Sequence, residues 1–293
     1  MKRVLLDNAY EAWRSAIKYC DAILEGIGTL FYQKSFISAL HNAVELFFKQ
    51  VMIDDVDHSV AELRRLKDKS DARLCLDYME STDLNQFFSG LPDAQLGNFK
   101  SIDFREIVDK FNKVTLKSGE VIEIKSALKR LQELRNNETH FMINRSGFLS
   151  EMDYKTLYNF MICFYRILKD KKLLPFWGEP WGEDIRLSFD REPINSFSYL
   201  DALKGSTLAR GIASHLSGTY DIGSPTCTSF DIASELCRRE ERYETQFDDV
   251  WALIEMFQMN GLIQYKEIVE ELPEEIDSLN QHPNVYYVMS IDL

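Results

Sequence analysis

No stretch of this chain stays apolar long enough to cross a membrane, which excludes a helical membrane protein. After Met1-Lys2-Arg3 only Val4-Leu5-Leu6 precedes Asp7, too short an apolar core for a signal peptide, so the expected location is the cytoplasm. Cysteine is scarce and scattered. Cys20, Cys75, Cys163, Cys227 and Cys237 are odd in number and lack any Cys-x-x-Cys spacing, which excludes a zinc ribbon or a vicinal redox pair and predicts free thiols in a reducing compartment. Positive charge is also short: 34 Lys and Arg face 47 Asp and Glu, a formal net charge of −13. The molecule as a whole repels nucleic acid, so any polyanion it handles must be held by a local basic patch. No Ser or Cys sits in a nucleophile elbow, no repeat is visible, and the only biased tract is the Glu-rich stretch from Glu270 to Glu275.

What is present is a 293-residue chain, 45% hydrophobic, enough for two cores. Trp13, Ile17, Cys20, Leu24 and Ile27 recur at helical spacing and predict an amphipathic helix over about 9–30. Leu40, Val44, Phe47 and Phe48 make one face of a second helix over about 35–51, where Glu45 and Lys49 form an i,i+4 pair. The two are expected to pack as an antiparallel hairpin. The charged stretch from Asp57 to Met79 reads as one or two helices, and Phe104 to Phe111 as another. The period then drops to two: Val114-Thr115-Leu116 and Val121-Ile122-Glu123-Ile124 flank Lys117-Ser118-Gly119-Glu120, the pattern of a β-hairpin. A helix from about Ser126 carries Leu128, Leu131 and Leu134 into Arg135, and Ser150 with Asp153 caps a further helix with Leu157, Met161, Phe164 and Leu168 inward.

Pro175, Gly178, Pro180, Gly182 and Pro193 then break the periodicity, predicting a surface connector over 175–196 between a helical-bundle domain, 1–174, and a second domain, 197–293. The second domain reads as a helix over about Tyr199 to Leu216, a helix capped by Thr228 and Asp231 running to about Arg242, and a helix capped by Thr245 and Asp248. Gly261 is the expected stop of that last helix, and two strands follow, near Leu262 and Val285. Three helices and a two-stranded wing are the order of a winged helix. The fold class expected is therefore mainly α, a helical bundle with a small β-hairpin insertion followed by a winged-helix-like α+β domain.

The segment Arg135-Asn136-Asn137-Glu138-Thr139-His140 carries the chemistry. RNA is cut without a metal when a 2′-oxygen loses its proton while attacking the adjacent phosphorus, the leaving 5′-oxygen gains one, and the charge on the non-bridging oxygens is stabilised. His140 suits the proton transfers and Arg135 the phosphate, while Asn136 shares a helix face with His140 and can bond the phosphate or hold the imidazole. Arg135 and His140, five residues apart, face different ways on a continuous helix, and a site shared between two chains would relieve this. With 16 Arg and five His, chance supplies roughly 0.3 matches to Arg-x4-His, and roughly 0.01 once Asn must follow Arg. Arg210 and His215 repeat the spacing without the Asn, and read as surface or interface sequence. Lys125, Lys129, Arg130 and Arg145 join Arg135 against only Glu133 and Glu138, a local +3 in an acidic protein, and are the expected RNA-binding residues.

The Arg-Asn-x-x-x-His motif after an amphipathic helix, with the earlier helix Asn42-Ala43-Val44-Glu45-Leu46-Phe47-Phe48-Lys49, resembles the HEPN superfamily over roughly Asp7 to Leu174. That resemblance implies an antiparallel bundle of four or five helices. It also implies a homodimer with both motifs in one cleft, and metal-independent endoribonuclease activity of the kind found in toxin–antitoxin and abortive-infection systems, with no cofactor. Members silenced by nucleotide transfer carry Tyr two residues beyond the motif His, where this chain has Met142, so that mode of control is not expected.

Other residues carry less. His41 lies on the second helix and could face the same cleft but reads first as a helix-surface histidine, and His58 beside Asp54, Asp55 and Asp57 reads as a solvated acidic loop rather than a metal ligand. Trp177 and Trp181 could stack bases but read first as connector residues packed on their own domain. In the second domain, Ser229 to Ser278 holds 14 acidic residues against Arg238, Arg239, Arg242 and Lys266, and its would-be recognition helix, Phe247 to Asn260, has neither Lys nor Arg. A reading helix needs donors for phosphates and guanine edges. A DNA-binding regulator is thereby disfavoured and a regulatory protein partner expected. A HEPN scaffold that binds a partner without turnover is the alternative to the nuclease.

Overall fold

The computed structural model describes residues 3–63, 69–139, 149–175, 181, 185–216, 221–222, 229–239, 247–268 and 285–291. These residues are mainly helical, with three small antiparallel sheets among them. By their contacts they form two units, Met1–Cys20 with Lys34–Ser196, and Asp21–Gln33 with Phe197–Leu293.

In the first unit the core is built on α1 (Leu6–Leu24), α2 (Leu30–Asp54) and α8 (Glu151–Asp170). The predicted stripes are buried except at Leu24, which is exposed at the end of α1: Trp13, Ile17 and Cys20 from α1, with Ile27 buried beyond its end, Leu40, Val44, Phe47 and Phe48 from α2, and Leu157, Met161, Phe164 and Leu168 from α8. Trp13 meets Phe164 and Phe189 edge-on at 5.8 and 6.0 Å, and its indole N–H donates to the Leu187 carbonyl at 3.0 Å. The Tyr154 hydroxyl donates to the carbonyl of Cys20 at 2.8 Å, so the one polar end of that fully buried ring is satisfied.

Leu187 and Phe189 lie in the stretch expected to be a surface connector. Both are buried, and Asn159 pins the stretch by exchanging two hydrogen bonds of 2.9 Å with the backbone of Ile194. The latter part of 175–196 thus belongs to the first core, because its apolar residues outweigh the loop signal of its prolines. Trp181 packs as expected, 5.9 Å from Tyr10 and under the Arg14 guanidinium at 5.2 Å, while Trp177 lies outside the described residues.

Between α2 and α8 the elements are short. β1 (Ala61–Leu63) pairs with β2 (Phe99–Ser101), and between them come α3 (Lys69–Glu80), α4 (Leu84–Gly90) and α5 (Asp93–Leu96). The helical expectation for Asp57 to Met79 fails at β1, since a three-residue strand is fixed by its backbone partner rather than by any period of its own. α6 (Phe104–Lys110) leads into the expected hairpin, β3 (Lys113–Thr115) on β4 (Val121–Glu123), with Val114 opposite Ile122 and Gly119 at φ +87° in the turn. α7 (Lys125–Thr139) follows at once.

The second unit holds α9 (Tyr199–Gly205), α10 (Thr207–Leu216), α11 (Ser229–Arg239) and α12 (Phe247–Met259). The single helix expected over Tyr199 to Leu216 is broken at Ser206, whose hydroxyl accepts from Ala209 N–H at 3.1 Å and starts α10 anew. Gly261, at φ +65°, follows the end of α12 as predicted. Two expected caps, Thr228 and Thr245, lie outside the described residues, as do Arg242 and the Glu-rich stretch from Glu270 to Glu275. β5 (Asp221–Ile222), β6 (Ile263–Ile268) and β7 (Val285–Ile291) form one antiparallel sheet in the order β5-β7-β6, one strand more than expected. The turn after α1 also belongs to this unit. Gly26 has φ +97° there, and a Cβ on it would come within 2.8 Å of the Leu203 Cα. Tyr32 donates to Asp249 at 2.6 Å.

Trp13→Ala is expected to remove about 3–5 kcal/mol of stability, against less than about 1 kcal/mol for Trp251→Ala at a half-exposed site. Urea denaturation followed by circular dichroism measures both, and equal midpoint shifts would contradict the placement of the core.

Candidate functional site

The expected site is carried by the last turns of α7. This helix starts against the hairpin, with Leu128 N–H bonded to the Ile124 carbonyl at 3.0 Å, and buries Ala127, Leu128, Leu131 and Leu134. Seven residues bring a helix back to nearly the same direction, so Arg135 follows Leu128 on the inward side and is half-buried. Asn136 follows Lys129 and is exposed like it, and Lys125 lies one turn before Lys129, also exposed. The structure therefore places Arg135 and Asn136 in the last turns of α7, with Lys129 and then Lys125 on the exposed side back to its first turn. His140 and Arg145 lie outside the described residues, as does Met142.

Arg130, expected to bind RNA, is engaged within the protein. Its guanidinium forks onto Asp153, Nε to Oδ1 at 2.6 Å and Nη2 to Oδ2 at 2.9 Å, and its third nitrogen donates to Glu133 at 3.0 Å. Ser150 caps α8 by accepting from Asp153 N–H at 3.1 Å, and its hydroxyl donates to Asp153 Oδ2 at 2.6 Å. Burial pushes the Asp153 carboxyl up, but the hydrogen bonds from Arg130 and Ser150 outweigh it and hold the group below the usual carboxylate range. Asp153 in turn raises Arg130. A cation so engaged is a structural clamp between α7 and α8, with little of its charge left for a phosphate.

His41 is the residue the sequence placed wrongly. Rather than lying on the helix surface it has a side chain only 12% exposed, stacked on Phe104 of α6 with centroids 3.9 Å apart and planes 27° from parallel. Its Nδ1 is buried without a hydrogen-bond partner among the described residues, and the nearby Glu45 carboxylate stands 3.6 Å away, beyond hydrogen-bond range. Burial drives its pKa down to about 4; Glu45 opposes this, Arg135 and then Lys49 add to it, and Asn42 works weakly upward. The imidazole is thus neutral at pH 7 and lies within electrostatic reach of the motif arginine. A signal existed in the sequence: His41, Glu45 and Lys49 recur at i, i+4 and i+8, an ionisable stripe beside an apolar face. Lys49 is itself buried, bonded to Glu45 and, at 2.8 Å, to Ser101 Oγ.

Two hollows lie elsewhere in the first unit. One of about 700 Å³ is lined by Leu46, Lys49, Phe88 and Phe99, and one of about 540 Å³ by His58, Tyr78, Lys100 and Glu106. Arg135 and Asn136 line neither. His58 is held by the Ser81 carbonyl at 3.1 Å and packs edge-on to Tyr78. Among the described residues no group of three or more His, Cys, Asp or Glu is placed to hold a metal ion, and no helix is long and apolar enough to cross a membrane.

Because the folded His41 binds its proton less readily than the unfolded chain, its contribution to stability is full above about pH 6.5 and is lost as pH falls towards about 4. The loss is expected to reach about 3 kcal/mol, and His41→Leu should flatten that part of the pH–stability curve. Urea midpoints across this range test it, and an unchanged slope in the variant would refute the assignment.

No family model, no curated protein and no solved structure matches this chain.

Proposed function

We propose that the chain is a metal-independent endoribonuclease of HEPN type, acting as a toxin or abortive-infection effector. In this reading Arg135, Asn136 and His140 are its catalytic residues. The observation that carries this is the setting of Arg135: half-buried at the end of α7 beside a neutral imidazole, with the exposed amide of Asn136 next to it and Lys125 and Lys129 along the same helix. A phosphate approaching that end meets a permanent cation on a rigid element, with two lysines to attract it in a molecule that otherwise repels it.

Arg135 stabilises the phosphoryl oxygens and Asn136 bonds the phosphate. His140 takes the 2′-hydroxyl proton or supplies one to the leaving 5′-oxygen. The 2′-oxygen–phosphorus bond forms as the phosphorus–5′-oxygen bond breaks, leaving a 2′,3′-cyclic phosphate and a 5′-hydroxyl. Incubated with RNA in EDTA, the protein is expected to cleave. His140→Ala and Arg135→Ala should each lower the rate by about 100-fold or more. A requirement for a divalent metal, or cleavage that survives both substitutions, would reject the mechanism. Absence of turnover with any RNA would favour the scaffold reading instead.

The helical unit is proposed to form a homodimer through the motif helix, since a two-fold axis brings two copies of Arg135 and His140 to one cleft and removes their angular mismatch. Mixing inactive Arg135→Ala and inactive His140→Ala chains should then restore part of the activity by pairing one intact Arg with one intact His. No recovery, or a fully active monomer in sedimentation, would remove the shared site.

For the C-terminal unit a winged-helix shape and a regulatory protein partner are proposed. Its α12 opens with Asp248 and Asp249, and Phe230 and Trp251 stand 48% and 38% exposed with ring centroids 5.4 Å apart. An aromatic surface in an acidic stretch suits a protein better than a DNA backbone.

A further inference from the structure

Resting on the reading of Arg135 as a phosphate-binding residue, we infer that His41 is a second ligand of the same site. It takes a proton from solvent as a phosphodiester docks against Arg135 and then holds that anion together with the guanidinium.

The geometry is that of a group waiting for a proton. The ring is clamped flat on Phe104, and its buried Nδ1 points at no hydrogen-bond partner among the described residues. A buried polar atom left unpaired is costly and calls for an explanation, of which a role in a bound state is one. Protonation supplies that state: Nδ1–H gains a donor for the Glu45 carboxylate, 3.6 Å away, while Nε2–H remains a donor for a second acceptor.

Burial is the main reason the proton is absent at rest; of the charges around the ring, Glu45 opposes it while Arg135 and Lys49 reinforce it. From α2 the imidazole is faced by Glu45 and, one turn on, by Lys49; from α7 by Arg135; α6 meets it only with the uncharged ring of Phe104. Lys49 is bonded to Glu45 and so spends part of the one negative charge nearby. Among the described residues two cations thus add to the cost of burying a third, and one carboxylate offsets part of it. An arriving phosphodiester offsets the charge of Arg135, the balance reverses, and the imidazolium becomes the stable form. Proton and anion thus strengthen each other's binding by the same factor. His41 is hence a sensor of an occupied site as well as a ligand in it, and RNA should be held more tightly in mildly acidic solution.

The test uses a short 2′-deoxyoligouridylate, which has no 2′-hydroxyl to attack and does not change ionisation in the range studied. The protein is the full chain with His140→Ala, which removes the motif imidazole from the titration. Imidazole resonances followed by NMR should show the His41 pKa rising from about 4 towards ~6.5 when the probe is saturating. Affinity should increase about tenfold between about pH 8 and about pH 5.5. Adding His41→Asn should abolish the increase, and adding Arg135→Ala should weaken binding throughout. An unmoved His41 resonance, a pH response that survives His41→Asn, or no binding at any pH would each overturn the inference, and the first needs no substitution of His41. Linked binding without cleavage by the wild-type chain would uphold His41 and sink the nuclease. Cleavage without the linkage would do the reverse.

Discussion

The guanidinium fork between Arg130 and Asp153 is the constraint on which the candidate site depends. α7 carries Arg135 and Asn136 in its last turns, and only one side of it is apolar. Leucines alone let a helix roll by a fraction of a turn at small cost, whereas two parallel hydrogen bonds to one carboxylate fix direction as well as distance. Asp153 is fixed in turn by the Ser150 cap in the first turn of α8, where its negative charge also favours the helix dipole. The roll of α7, and with it the inward aim of Arg135, is thereby set from outside the site. An acidic protein with few cations has used one of them to orient another.

Long periodic elements were legible from sequence, and short or paired ones were not. Both hairpin helices, the capped start of α8, the turn at Gly119 and the stop at Gly261 rest on local signals, such as apolar spacing, a capping serine, or a glycine where φ is positive. β1 and β5 have two or three residues each and exist through partners far along the chain, Phe99–Ser101 and Val285–Ile291. The break at Ser206 and the burial of Phe189 are tertiary effects of the same kind. In the candidate site, the placing of Arg135 and Asn136 on one helix could be read, but the Arg130 fork and the stacking of His41 on Phe104 could not. Each depends on what a different helix presents to it, a carboxylate in one case and an aromatic ring in the other.

His41 also shows how packing and acid–base chemistry are joined in this bundle. The ring is stacked on Phe104 as a neutral aromatic, and each apolar contact it makes is a contact denied to water around its charged form. Phe104 therefore sets how hard the imidazole is to protonate without touching a proton itself. Glu45, shared between His41 and Lys49, is the counterweight that keeps the charged form within reach.

Gly26 and its neighbours have a consequence for biosynthesis. Asp21–Gln33 pack with a unit whose remaining residues begin only at Phe197, so on the ribosome this turn emerges long before the Leu203 backbone against which Gly26 rests. The first helical hairpin leaves the exit tunnel with Ile27 and Tyr32, buried in the finished protein, still awaiting cover, and the second unit, although begun first within the hairpin, cannot complete itself until the chain beyond Phe197 is made. A nascent chain arrested just before Phe197 would hold all of the first unit, motif helix included, with the hairpin tip still a sticky apolar surface for chaperones to meet.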